Sequence, residues 1–84
     1  LKVTIAPNPV SDELTIRFEE PSLSFKTGDF ISVLDALGKE VYRTNLMDKT
    51  LHINTSDWSA GIYIIHANIN NRKVGLQKVV KMDK

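Results

Sequence analysis

Cysteine is absent from this 84-residue chain. No disulfide can staple the fold and no thiolate can hold a metal, which neither requires nor excludes an oxidising compartment. No apolar run approaches the roughly 18 residues that suggest a membrane-spanning helix, so no membrane insertion is expected. Charge of one sign is not in excess. Eleven Lys and Arg stand against ten Asp and Glu, for a formal net charge of +1. The broad electropositive face that nucleic-acid binding needs is therefore not expected. Helical periodicity is missing as well. The first residues, Leu1-Lys2-Val3-Thr4, read as the start of a strand and not as a secretory leader. Residues 1–84 are expected to form one domain, a fragment of a longer protein whose targeting leader lies elsewhere.

Catalytic constellations are thin. The two histidines, His52 and His66, each alternate with apolar residues on a strand, and each is read as a tolerated surface residue. The serines carry no nucleophile elbow of the G-x-S-x-G kind, and no stretch has the alternating ligands of a calcium loop. No enzyme, metal or cofactor is expected. Asn54-Thr55-Ser56 has the form of a glycosylation sequon, but reads more simply as a side-chain-capped turn ahead of Trp58.

What the chain does have is two-residue alternation. Val3 and Ile5 begin a strand that Pro7-Asn8-Pro9 ends, because two prolines around one residue force a bend. Leu14, Ile16 and Phe18 alternate with Glu13, Thr15 and Arg17. A polar connection follows, with Phe25 as an anchor. Residues 29–35 read as a central strand with Ile31 and Val33 on one side and Phe30 and Leu34 on the other. Gly38 supplies the positive φ of a tight turn. Val41–Leu46 and Leu51–Ile53 are two further strands. Gly61–Ile69 and Arg72–Lys81 form a hairpin around Asn70-Asn71, two residues that tolerate the left-handed conformation of a type I′ turn. Seven short strands at regular spacing predict an antiparallel, immunoglobulin-like β-sandwich.

A plain two-residue turn at Asn70-Asn71 sets Ala67 opposite Val74, Ile65 opposite Leu76 and Tyr63 opposite Lys78. In that register Tyr63, Ile65, Ala67, Val74, Leu76 and Val80 face the core. His66, Asn68, Lys73, Gln77 and Lys81 face water, together with Ile62, Ile64 and Val79. The six aromatics include Phe18 and Tyr63 at core positions, and Trp58 beside a turn, where it would cap the sandwich. That leaves few for a flat sugar-binding platform.

Four collinear segments resemble a known family. "APNPVSDELTIRF" (6–18), "ISVLDALGKEVY" (31–42), "HINTSDWSAGIYIIHA" (52–67) and "KVVK" (78–81) are similar in order and spacing to the type A C-terminal sorting domain of the type IX secretion system of Bacteroidota. The resemblance implies a folded secretion signal on a secreted cargo that passes through the periplasm. The expected partners are an outer-membrane shuttle protein and translocon, a sortase-like cysteine peptidase that removes the domain, and the covalently linked N-terminal cargo. The final location would be the outer-membrane surface or the extracellular space. Carried over by motif, Lys78, Val79, Val80 and Lys81 fall on the terminal signal, with two readings: recognition by addition of a receptor strand to an open sheet edge, or lysines that only keep that edge soluble. Pro7, Asn8, Pro9, Gly38, Gly61 and Tyr63 are motif positions with packing roles. Met82-Asp83-Lys84 extends past the family's common end. A second reading is a fibronectin-like adhesive or carbohydrate-binding accessory module of a secreted enzyme.

Overall fold

Leu14, Ile16 and Phe18 are all buried in β2 (Glu13–Phe18), while the charged Glu13 and Arg17 stay exposed. The same period of two builds the rest of the fold. The computed structural model describes residues 2–83 and contains no helix among them. The other strands are β1 (Val3–Ala6), β3 (Phe30–Leu34), β4 (Glu40–Asn45), β5 (Thr50–Asn54), β6 (Gly61–Ile69) and β7 (Arg72–Lys81). They form a three-stranded sheet in the order β1-β2-β5 and a four-stranded sheet in the order β4-β3-β6-β7, with every neighbouring pair antiparallel. This is the expected immunoglobulin-like sandwich.

The core lies between the sheets. Ile5, Leu14, Ile16, Phe18 and Ile53 line it from one side, and Ile31, Val33, Tyr63, Ile65, Ala67 and Val79 from the other. Each large aliphatic side chain withdrawn from water there contributes about 1.5–3 kcal/mol. Val10 and Leu46, which belong to connections, are buried with them.

Turn chemistry fixes the register. Asn70 and Asn71 have φ of 55° and 62°, and Ile69 pairs with Arg72 across them. Gly38 has φ of 86° in the β3–β4 turn, where the Asp35 carboxylate accepts the Leu37 and Lys39 amides at 2.9 Å. A side chain at Gly38 would be strained by that backbone conformation. Asn54 accepts the Ser56 amide at 2.9 Å, so Asn54-Thr55-Ser56 is a capped turn. In the long β2–β3 connection, Phe25 packs edge-on against Phe18 with ring centroids 5.2 Å apart.

Candidate recognition site

The hairpin carrying the terminal strand departs from the plain register at one point. Pairing runs as expected from Ile69–Arg72 to Ala67–Val74, and His66 then pairs with Gly75. Beyond it Ile65 pairs with Gln77, so one extra residue of β7 is accommodated at Leu76. This is a β-bulge beside a strand glycine, which has no side chain to resist it. Because the strand period is two, one extra residue exchanges the faces of all that follows. Tyr63 therefore pairs with Val79 rather than Lys78.

That shift corrects the expected roles of the four terminal residues. Val79, expected on the wet face, is fully buried in the core. Val80, expected in the core, is exposed. Lys81, also expected to face water, is only 4% exposed, and its ammonium donates to the Met82 carbonyl at 3.1 Å. Lys78 is the one lysine of the pair that remains exposed. The outer face of this end of the sheet consequently holds Lys78 and Val80 on β7 beside Ile64 and Ile62 on β6, to which they are paired.

The expectation of an open edge at residues 78–81 is corrected as well. After β1 the chain bends at Pro7-Asn8-Pro9 and crosses to the other sheet. There it runs along β7 as a strap. The Asn8 side chain does the work of a peptide group. Its Nδ2 donates to the Lys78 carbonyl at 3.2 Å, and its Oδ1 accepts the Val80 amide at 2.9 Å. Val10 then continues as a short parallel bridge to Lys81. Its amide donates to the Val80 carbonyl at 2.8 Å, and its carbonyl accepts the Met82 amide at 2.8 Å. The outward-facing backbone groups that a receptor strand would use are already paired.

No local sequence signal exposes this role of Asn8, which lies 70 residues from Lys78. The nearest hint is that Pro7 and Pro9 have no N–H to offer. Between them, only Asn8 can supply a donor along the strap.

Tyr63 is buried, and its hydroxyl donates to the Ser59 carbonyl at 2.6 Å. Gly61 has φ of 148° at the entry to β6. Trp58 packs on Tyr63 and Tyr42, with ring centroids 4.8 and 6.2 Å apart. Phe30 lies under the Arg43 guanidinium, 3.9 Å from its ring centroid. The aromatics are thus engaged with one another, with the core or with Arg43, and form no flat platform for a sugar.

The two histidines differ. His52 is exposed and lies 3.0 Å from the Thr15 hydroxyl. His66, expected at the surface, is 9% exposed. It lies between Ser32 of β3 and Gly75 of β7 in the sheet register. Burial, helped by the nearby charge of Lys73, pushes its pKa below the ordinary histidine value. Its neighbours are polar and already bonded. Ser32 donates to Glu40, and the Arg43 guanidinium donates to the same carboxylate at 2.9 Å. These two hydrogen bonds hold the Glu40 pKa below its ordinary value. Among the described residues no group of three His, Asp or Glu is placed to hold a metal.

Such a molecule is an immunoglobulin-like β-sandwich, with its last strand built into the core and one face of that strand turned outward. Residues 4–82 match the family described as the secretion system C-terminal sorting domain, and the chain belongs to that family. It is also 30% identical over 79 residues to the ulvan lyase NLR42 of Nonlabens ulvanivorans. The alignment takes in 93% of this chain and 14% of that protein. The domain is a C-terminal type IX secretion signal and not a catalytic unit, and it directs export across the outer membrane to the cell surface or the extracellular space.

Proposed function

We propose that residues 1–84 form one sorting domain at the end of a longer secreted protein, covalently joined to a cargo on its N-terminal side. The cargo passes through the periplasm. An outer-membrane shuttle protein receives the domain, the translocon exports it, and a sortase-like cysteine peptidase removes it. The family match over residues 4–82 carries this reading. That span includes both the Pro7-Asn8-Pro9 bend and the whole of the terminal strand, two segments that are hydrogen-bonded to each other. Of the terminal four residues, Lys78 and Val80 are accessible to a receptor, whereas Val79 and Lys81 hold the strand in place.

The test is a reporter followed by residues 1–84, expressed in a type IX-competent cell and in the same cell lacking the translocon. The reporter should reach the surface or medium only in the first. Export that does not depend on the translocon, or retention in both cells, would refute the reading.

A further inference from the structure

The outer faces of the two sheets differ in a way the fold does not require. On the three-stranded sheet the outward residues are Thr4, Ala6, Glu13, Thr15, Arg17 and, on β5, Thr50, His52 and Asn54. That is the polar-out alternation of a solvated antiparallel sheet. At one end of the four-stranded sheet the outward residues are apolar instead. Ile62 is 44% exposed, Ile64 39% and Val80 40%, with half-buried Leu34 paired to Ile64. Lys78, paired to Ile64, is the cation among them.

We propose that this block, Leu34, Ile62, Ile64, Lys78 and Val80, is the surface by which the sorting domain docks on its receptor. The receptor surface it fits is apolar and carries a carboxylate for Lys78. The proposal rests on the sorting-signal reading above and assigns the surface that performs it.

Three observations select this occupant. First, the strap from Asn8 to Val10 pairs the outward backbone groups of residues 78–82, so side chains must carry recognition there. Val10 is fully buried, which fixes the strap in place. Second, Lys78 disfavours a second copy of the chain. A two-fold contact through this face sets two lysines into one small apolar patch, and desolvated like charges oppose such a contact. Third, five side chains fall far short of the roughly 20–30 residues a side of a stable interface. They suit a partner that binds the signal briefly and releases it. A carboxylate opposite Lys78 supplies the complementary charge and orients the encounter.

The experiment uses the reporter fusion in type IX-competent cells with Ile62→Thr/Ile64→Thr, Lys78→Glu and, as a control on the opposite sheet, Arg17→Gln. Thermal melting of each purified chain checks the fold. Export should fall about tenfold or more for the first two, the scale of losing an interface anchor, with melting close to the parent. Arg17→Gln should export normally. If the isoleucine pair lowers the melting point, Lys78→Glu and Val80→Thr, both at exposed positions, decide the matter. Normal export of the folded variants overturns the docking surface while leaving the sorting function standing. Failure of the parent fusion to be exported overturns both. A concentration-dependent dimer in sedimentation, abolished by Ile62→Thr/Ile64→Thr, would assign the face to a second copy and overturn the receptor surface.

Discussion

His66 shows how much one strand position can hide. Alternation places it outward, yet the sheet buries it, and its pKa is lowered first by that burial and then by Lys73, with Glu40 partly opposing. In the unfolded chain the imidazole takes up a proton near its ordinary value of 6.5, whereas the folded chain resists until lower pH. Stability from this group is therefore complete above that value and declines as pH falls below it. Glu40 has the same sign in a lower window, since its folded pKa lies below the ordinary value of 4.5. Denaturant midpoints against pH should fall first just below 6.5 in the parent, and His66→Gln should remove that first decline. Asp29 is a second residue whose importance no local pattern reveals, because it reads as the first residue of the central strand, whereas the strand itself begins at Phe30. It is buried, and its two carboxylate oxygens accept the Lys26 amide at 3.0 Å and the Asn70 amide at 3.1 Å. It thus ties the β2–β3 connection to the hairpin tip, 41 residues away. Asp29→Ala leaves both amides without that acceptor, and urea unfolding should show a loss of about 2–4 kcal/mol.

Elements were legible where their cause is local. Seven strands follow from alternation, and the turns at Gly38 and Asn70-Asn71 follow from residues that tolerate positive φ. The bulge at Leu76 was not legible. Leu76 and Val80 offer the core an apolar face in the plain register, and Val79 competes for the same place once the register slips. Two apolar patterns were present, and packing chose between them. This yields a sharp prediction for the element. Deleting Leu76 removes the bulge yet leaves Gln77 opposite Ile65 and Val79 opposite Tyr63, so residues 77–81 keep their faces. The shortened chain should therefore keep its cooperative thermal transition, and its loss would show that the bulge itself is needed for folding. The strap was illegible for a different reason. Its pairing spans 70 residues and relies on one asparagine acting as a peptide group. Asn8→Ala deletes two hydrogen bonds at an exposed site, for about 1–2 kcal/mol. Hydrogen exchange at the Val80 amide should accelerate more than exchange at core amides of β3.

At the scale of the whole molecule, signal and fold share one strand. A chain terminus ordinarily frays, but here β7 is held by β6 on one side and by the strap on the other. Val79 fills the core between them. Truncation at the terminal motif therefore removes more than a recognition element. It opens the core, exposes the edge of β6 and frees the Asn8–Val10 strap at once. An 84-residue chain has little margin to absorb such a loss. A chain ending at Gln77 should show a random-coil-like far-ultraviolet spectrum and rapid proteolysis, and its failure in export would then say nothing about recognition. Val79→Asp should behave the same way, because it places an unpaired carboxylate in the core at a cost of several kcal/mol. Lys78→Glu, only one residue away but on the opposite face, should melt with the parent. A folded, protease-resistant chain after truncation at Gln77 would show that the fold closes without residues 78–84, and would separate the signal from the fold. Unfolding would make the sorting signal a property of the folded sandwich, so a receptor that docks on its outer face would accept only cargo whose terminal domain has closed.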